Sequence, residues 1–286
     1  MKSPCYINFY AMKLSIITVN LNNKAGLEKT LRSLSAQTFG DFESIIIDGG
    51  STDGSYELTE AYLRIIGYRI SEKDSGIYNA MNKGIRAAKG EYLLFLNSGD
   101  YLTDDVLAKV FAEPFTEDIV YGNLIFTDGE TTRIEKSKPY YTLFDFMQAS
   151  LPHPATFIRK RLFDGCLYDE TLRIVSDWEF FLKKIILEDR PARYLDVEVS
   201  YFDTHGISSS EKSQALIREE RREVLHRYFN EHILRDYDNF RVFDTLRQEH
   251  SSLLGATDIT PTFKRFLLRV DNLLIRLYKM LKRGNN

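Results

Sequence analysis

Apolar residues fall along the first hundred positions in two alternating rhythms. Short runs rich in β-branched residues are followed by stretches in which apolar side chains recur every three or four positions. Leu14-Ser15-Ile16-Ile17-Thr18-Val19-Asn20 is the first such run, and Leu27, Leu31 and Leu34 mark one face of a helix after it. Ser44 to Asp48 repeats the strand signal. Gly49 to Gly54 makes a turn, and Tyr56 to Ile66 reads as a second helix. A short strand around Tyr68 to Ser71 precedes a helix over Ile77 to Ala88, with Ile77, Met81, Ile85 and Ala88 on one face. Glu91 to Leu96 is almost wholly apolar, as a central parallel strand covered on both faces must be.

Strands that alternate with helices predict an α/β fold, an open and mostly parallel sheet with right-handed crossovers and helices on both faces. Beyond Asp100 the alternation loosens into a mixed pattern. Ile119 to Phe126, Ala155 to Ile158 and Tyr194 to Tyr201 read as strands, and Asp177 to Leu187 as a helix. From about Gln214 long charged helices take over. The expected organisation is an extension over 1–11, an α/β domain over 12–213 and a helical extension over 214–286. Within the last, seven Lys or Arg and a single acid, Asp271, share residues 264–283 with an apolar stripe from Phe263 to Leu281. Such a basic amphipathic helix over 262–286 suits an anionic membrane surface, packing on the α/β domain, or pairing with a second copy of the chain.

Composition narrows the classes. At 286 residues, 43% hydrophobic and 28% charged, the chain can bury a sizeable core, and a net charge of −3 gives no field that would gather nucleic acid. Cys5 and Cys166 have neither disulfide-framework nor zinc-ligand spacing, which fits a reducing cytoplasm. No apolar run approaches the eighteen or so residues of a membrane span. GxSxG, Walker and GxGxxG signatures are absent, so serine hydrolase, P-loop and dinucleotide readings lose their usual support.

Open α/β sheets bind ligands outside the carboxyl ends of their strands, so the polar clusters there carry the candidate chemistry. Asp100 ends the most apolar strand, where a carboxylate needs a cation or hydrogen-bond donors. It suits Mg²⁺ or Mn²⁺ completed by phosphate oxygens, or else caps a helix starting near Asp104. Asp48 could accept hydrogen bonds from a nucleoside or simply form its turn. Asp177 opens a helix and could cap it, or could serve as a general base that takes a proton from an incoming hydroxyl. His153 and His205 stand in Pro- or Gly-flanked loops, where an imidazole could reach a ligand or be structural. His226, His232 and His250 belong to the charged tail.

In order along the chain, Ser15 to Asn20, Leu31 to Leu34 with Gln37-Thr38, Ile47 to Gly54, Ser71 to Gly84, Gly90-Glu91-Tyr92 and Leu96 to Asp100 resemble the inverting, GT-A-fold glycosyltransferases of family 2, of the bacterial polysaccharide type. The resemblance runs on through Asp177 and to His205-Gly206-Ile207-Ser208. It implies that Thr18, Asn20, Asp48 and Asp74 hold the nucleotide. Asp100, with His205, would bind Mn²⁺ or Mg²⁺ beside the donor diphosphate. Asp177 would be the catalytic base, with His153 and Asn97 beside the donor or acceptor sugar. The implied partners are a nucleotide-sugar donor, UDP before GDP or dTDP, and a saccharide or lipid-linked acceptor. Two departures stand out: Asp48-Gly49 replaces the paired aspartates common in the family, and Gly99-Asp100 replaces an Asp-x-Asp cluster. Two other readings are a sugar-phosphate nucleotidyltransferase and an inactive scaffold. The first would want more cations near the first strand than Lys24 supplies.

Overall fold

A computed structural model of the protein describes residues 12–204 and 211–240, together with Val242, Arg265 and Arg269. The 1–11 extension, His205 and, those two arginines apart, the 262–286 stripe lie outside the described residues. Two compact units divide between Val224 and Leu225.

The first unit is built on a nine-stranded mixed sheet. Its strands are β1 (Met12–Asn20), β2 (Phe42–Asp48), β3 (Ile66–Ser71), β4 (Gly90–Phe95), β5 (Tyr101–Leu102), β6 (Ile119–Thr127), β7 (Thr132–Glu135), β8 (Thr156–Arg159) and β9 (Ala192–Asp203). They lie in the order β3-β2-β1-β4-β8-β6-β9-β5, with β7 beside β6. The β3-β2-β1-β4 half is parallel throughout. The remainder mixes the antiparallel strand β8 with a parallel β6–β9 pair.

Successive side chains of a strand face opposite sides of the sheet, and β1 uses both. Ile16 joins a core cluster with Leu34 of α1 (Lys24–Ser35). Ile17, its neighbour, meets Gly84 of α3 (Ile77–Ala87), where an added Cβ would come within 2.5 Å of the isoleucine. Helices therefore cover both faces, as the periodicity predicts. Every residue of β4 is buried, which accounts for its unbroken apolar sequence.

The second predicted helix is cut short. Only α2 (Ser55–Leu58) is α-helical, and Thr59–Tyr62 tightens into a 3₁₀ turn. The reason lies in the sheet: Ser44 N–H donates to Ile65 C=O at 2.8 Å, so residues that would extend the helix lead instead into β3. Further on come α4 (Val106–Val110), α5 (Leu143–Gln148) and α6 (Ser176–Phe181), the last continuing as a π-helical turn over Leu182–Leu187. Helix α7 (Glu211–Tyr228) has buried Glu220 and Val224 within the first unit. In the second unit, residues 231–240 are helical and begin at Asn230, whose side chain accepts from the N–H groups of His232 and Ile233.

Candidate active site

The chain runs outward from β1 through β2 to β3, then returns to place β4 on the other side of β1. The order reverses between β1 and β4, and the crevice outside their carboxyl ends is where an open α/β sheet takes its ligand. The loops that leave these strands are locked to one another. Asn22 N–H donates to Ser51 Oγ at 2.8 Å, Thr52 N–H to Asn22 Oδ1 at 2.9 Å and Lys24 N–H to Asp53 Oδ2 at 2.9 Å. Asn23 Nδ2 reaches across to Ser98 C=O at 3.0 Å. Leu21, between them, is 61% exposed, a lone apolar side chain held at the mouth of the crevice.

Asp48 is wholly buried and accepts from five protein donors: Asn20 Nδ2 at 2.8 Å, Ser51 Oγ at 2.6 Å, Ser71 Oγ at 2.5 Å, and the N–H groups of Gly50 and Ser51 at 3.2 and 2.8 Å. Burial pushes its carboxyl up, but the bonds from Ser51, Ser71 and Asn20 outweigh it and leave the group below its ordinary value. Asp48 thus organises the turn that Gly50, with φ of 83°, makes possible. Asn20 donates to Asp48, while its own Oδ1 is buried without a partner. Thr18 is fully buried inside β1, its Oγ1 also unpartnered, on the face it shares with Ile16, so it lies under the crevice rather than on its surface. Asp74 accepts from Gly76 N–H at 3.2 Å and lies 3.0 Å from where a Cβ on Gly49 would sit. A side chain at position 49 would therefore press on Asp74 and Leu21.

At the end of β4, Asn97 keeps a buried, unpartnered Oδ1, and its carbonyl accepts from Asp100 N–H at 3.0 Å. Asp100 caps no helix, since α4 begins after Asp105. It is 5% exposed, and one carboxylate oxygen accepts from Asp203 N–H at 3.1 Å. Burial pushes its pKa up to about 7. The Asp203 N–H opposes that rise, and the Asp203 charge adds to it. A carboxylate so placed favours a cation beside it. Asp100 and Asp203 offer the hard oxygen ligands that Mg²⁺ or Mn²⁺ prefers, with Gly99 between Asp203 and Asn23. No group of three or more His, Cys, Asp or Glu side chains converges among the described residues, so such an ion would depend on ligand oxygens as well.

Asp177 sits in the first turn of α6, yet it does not cap the helix. The N-cap is Val175, with no side-chain bond. One oxygen of Asp177 lies 2.7 Å from the Tyr78 hydroxyl, which also lies 2.6 Å from Ile174 C=O. The other faces His153 Nδ1 at 3.7 Å. His153 is 9% exposed, bonded through Nε2 to the Tyr168 hydroxyl at 2.8 Å and stacked on Phe95 at 4.7 Å. It therefore supports Asp177 from within rather than lining an open surface. Burial lowers its pKa, against the opposing pull of Asp177. Since Phe95 ends β4 and Tyr78 opens α3, these contacts bring Asp177 to the same rim as Asn20, Asp48, Asp74, Asn97 and Asp100. Tyr78, Tyr168 and Asp203 have no role in the sequence reading. Tyr78 lies inside the Ser71–Gly84 string, but nothing local reveals a partner so far along the chain.

A family model described as glycosyl transferase family 2 matches residues 15–185. A PGL/p-HBAD biosynthesis glycosyltransferase of Mycobacterium tuberculosis is 34% identical over 210 residues, covering 70% of this chain and 80% of that protein. Among solved structures, S. aureus TarS 1-349 in complex with UDP-GlcNAc superposes with a TM-score of 0.60 at 22% identity, covering 77% of this chain and 68% of that one. The mannosyltransferase PcManGT from Pyrobaculum calidifontis, in complex with GDP-Man and Mn²⁺, gives a TM-score of 0.52 at 16% identity, covering 68% and 58% of the two chains.

Proposed function

The chain belongs to glycosyl transferase family 2, and from that premise we propose that the β1/β4 crevice binds a nucleoside-diphosphate sugar and that Asp177 is the base for inverting transfer to an acceptor hydroxyl. The observation that carries the reading is the state of Asp177: a helix-opening aspartate that caps nothing, oriented instead by Tyr78 and backed by His153. A general base needs a carboxylate held in place with an oxygen left to meet the incoming hydroxyl; Tyr78 holds one oxygen of Asp177, and the other, 3.7 Å from His153 Nδ1, is the one proposed to take the proton. As the acceptor oxygen attacks the anomeric carbon, its proton passes to Asp177. The bond to the diphosphate oxygen breaks on the opposite face, and the configuration inverts.

The donor's binding groups follow from the rim. Asn20 and Asn97 carry buried unpartnered oxygens that a ligand's donors could satisfy, and Asp74 lies beside the close-packed Gly49 turn. Asp48, saturated by protein donors, acts by holding that turn, and Thr18 acts by packing. Asp100 and Asp203 would hold Mn²⁺ or Mg²⁺, which supplies neutralising charge for the diphosphate. UDP is the proposed nucleotide, in line with the UDP-GlcNAc complex of the fold neighbour TarS. The proposed acceptor is a saccharide or lipid-linked hydroxyl in glycan assembly. Family membership speaks against the nucleotidyltransferase alternative, and the intact Asp177 setting speaks against an inactive scaffold.

Replacing Asp177 with Asn keeps the side chain's shape and removes its basicity. Turnover, read as nucleotide release from the UDP-hexose the wild type uses, should fall ~10²–10⁴-fold. Calorimetric affinity for UDP should be unchanged. Loss of binding with turnover per bound donor intact would assign Asp177 to the donor site and end this reading.

A further inference from the structure

Helix α7 lies beyond the 15–185 segment that matches the family, yet it reaches back to the loop that leads into the helix carrying Asp177. Glu220 is 7% exposed. Its Oε1 accepts from Arg173 N–H at 2.8 Å, and its Oε2 from Ile174 and Val175 N–H at 3.0 and 3.3 Å. Three consecutive backbone donors therefore close on one carboxylate. Burying a carboxylate is costly unless donors meet it, and charge-assisted bonds of this kind are stronger and shorter than neutral ones. Next in sequence, the Arg221 guanidinium stands 5.0 Å over the ring of Trp178, the residue after Asp177, and Trp178 Nε1 donates to Phe146 C=O at 2.7 Å.

The N-cap of α6 makes no side-chain hydrogen bond of its own. Its N-cap residue, Val175, has no side-chain oxygen, and the Ser176 hydroxyl is buried without a hydrogen bond. The backbone of Ile174 joins the two sides. Its N–H is held by Glu220, while its C=O lies 2.6 Å from the same Tyr78 hydroxyl that orients Asp177. A shift of the 173–175 loop would move Tyr78's second acceptor and the first turn of α6 together.

We infer that Glu220 is a positioning residue for Asp177: α7 clamps the base's loop from outside the family core, so the base is aimed by the chain's own helical extension. The inference rests on Asp177 being the base. A base displaced by about 1 Å can lose up to ~10²-fold in rate without any change in donor binding.

The test is Glu220→Gln, which keeps the volume but points an NH₂ group at backbone donors. With the UDP-hexose that the wild type turns over, kcat should fall about 10- to 100-fold, with donor KM and calorimetric UDP affinity within about twofold of wild type. In an Asp177→Asn background the same change should add almost nothing, because residues that act as a unit do not multiply their losses. Trp178 is the single tryptophan, so an unshifted emission maximum identifies folded variants. If the Gln variant does not fold, Glu220→Asp, with the charge kept one methylene short, takes its place in the same assays. A folded variant with wild-type kcat, or losses that multiply in the double variant, overturns the inference. If Asp177→Asn itself leaves turnover intact, the base assignment fails. If it lowers turnover as expected while the folded Glu220 variants keep wild-type kcat, only the clamp fails.

Discussion

Asp48 ends the buried strand β2 and Asp100 lies in the loop after β4, and their surroundings drive them in opposite directions. Five donors hold Asp48 charged, whereas burial raises the pKa of Asp100 to about 7, opposed by its one backbone donor and aided by the neighbouring Asp203 carboxylate. From sequence each had two readings, and the turn-forming reading describes the partners Asp48 has. The helix-capping reading of Asp100 and Asp177 fails, because the helices begin elsewhere or go uncapped. What decided Asp177 was out of reach of local pattern: its partner Tyr78 is 99 residues away. His153 titrates on its own terms. Asp177, the Tyr168 hydroxyl and the rings of Phe95 and Phe181 surround it, and burial depresses its pKa below the ordinary 6.5. Between the folded and unfolded values the unfolded chain binds more protons. This contribution to stability is therefore full above pH ~6.5 and is lost as pH falls through the folded value. In urea melts at pH 7.5 and 5.5, His153→Gln should lose less of its midpoint on acidification than wild type. An identical loss would locate the acid sensitivity in other groups.

Among elements, those with the strongest periodicity were legible and those defined by partners were not. The buried parallel strands read as apolar runs because both faces are covered, and β4 is the extreme case. By contrast β5 is two residues long and β7 is exposed at every position, so neither carries a pattern. The π-helical turn after α6 has no sequence signature either. Glycines mark where elements touch. An added Cβ on Gly84 of α3 would meet the side chain of Ile17 at 2.5 Å, whereas on Gly90, opening β4, it would meet the backbone N of Ser15 at 2.4 Å and the carbonyl carbon of Leu14 at 2.6 Å. A side chain can turn away; paired strand backbone cannot without breaking its ladder. Overpacking typically costs about 1–3 kcal/mol. Gly90→Ala should lie at or above the top of that range and Gly84→Ala below it, as read from chemical denaturation. The reverse order would mean that α3, not the β1–β4 pair, is the less yielding contact.

For the molecule as a whole, the proposed donor half of the site is continuous in sequence and the proposed reacting half is not. The strings from Ser15 to Asp100 follow the strands that end at one crevice, which is why they could be read together. Asp177, Asp203 and Glu220 come from three later elements whose convergence depends on the mixed half of the sheet and on α7. This division predicts how ligands act on the intact protein. A ligand that binds only the folded state stabilises it by RT ln(1 + [L]/Kd), about 2.7 kcal/mol at a hundredfold excess over Kd. UDP with Mn²⁺ should therefore raise the melting temperature more than UDP with EDTA, and more than GDP, dTDP or CDP with the same metal. Asp100→Asn should abolish the metal-dependent increment and keep the rest, because Asn20, Asp74 and the Asp48 turn remain in place. If Asp100→Asn weakens UDP equally with EDTA present, the carboxylate serves the nucleotide site directly. The rise of its pKa to about 7 would then mark a group held for hydrogen bonding rather than for a cation.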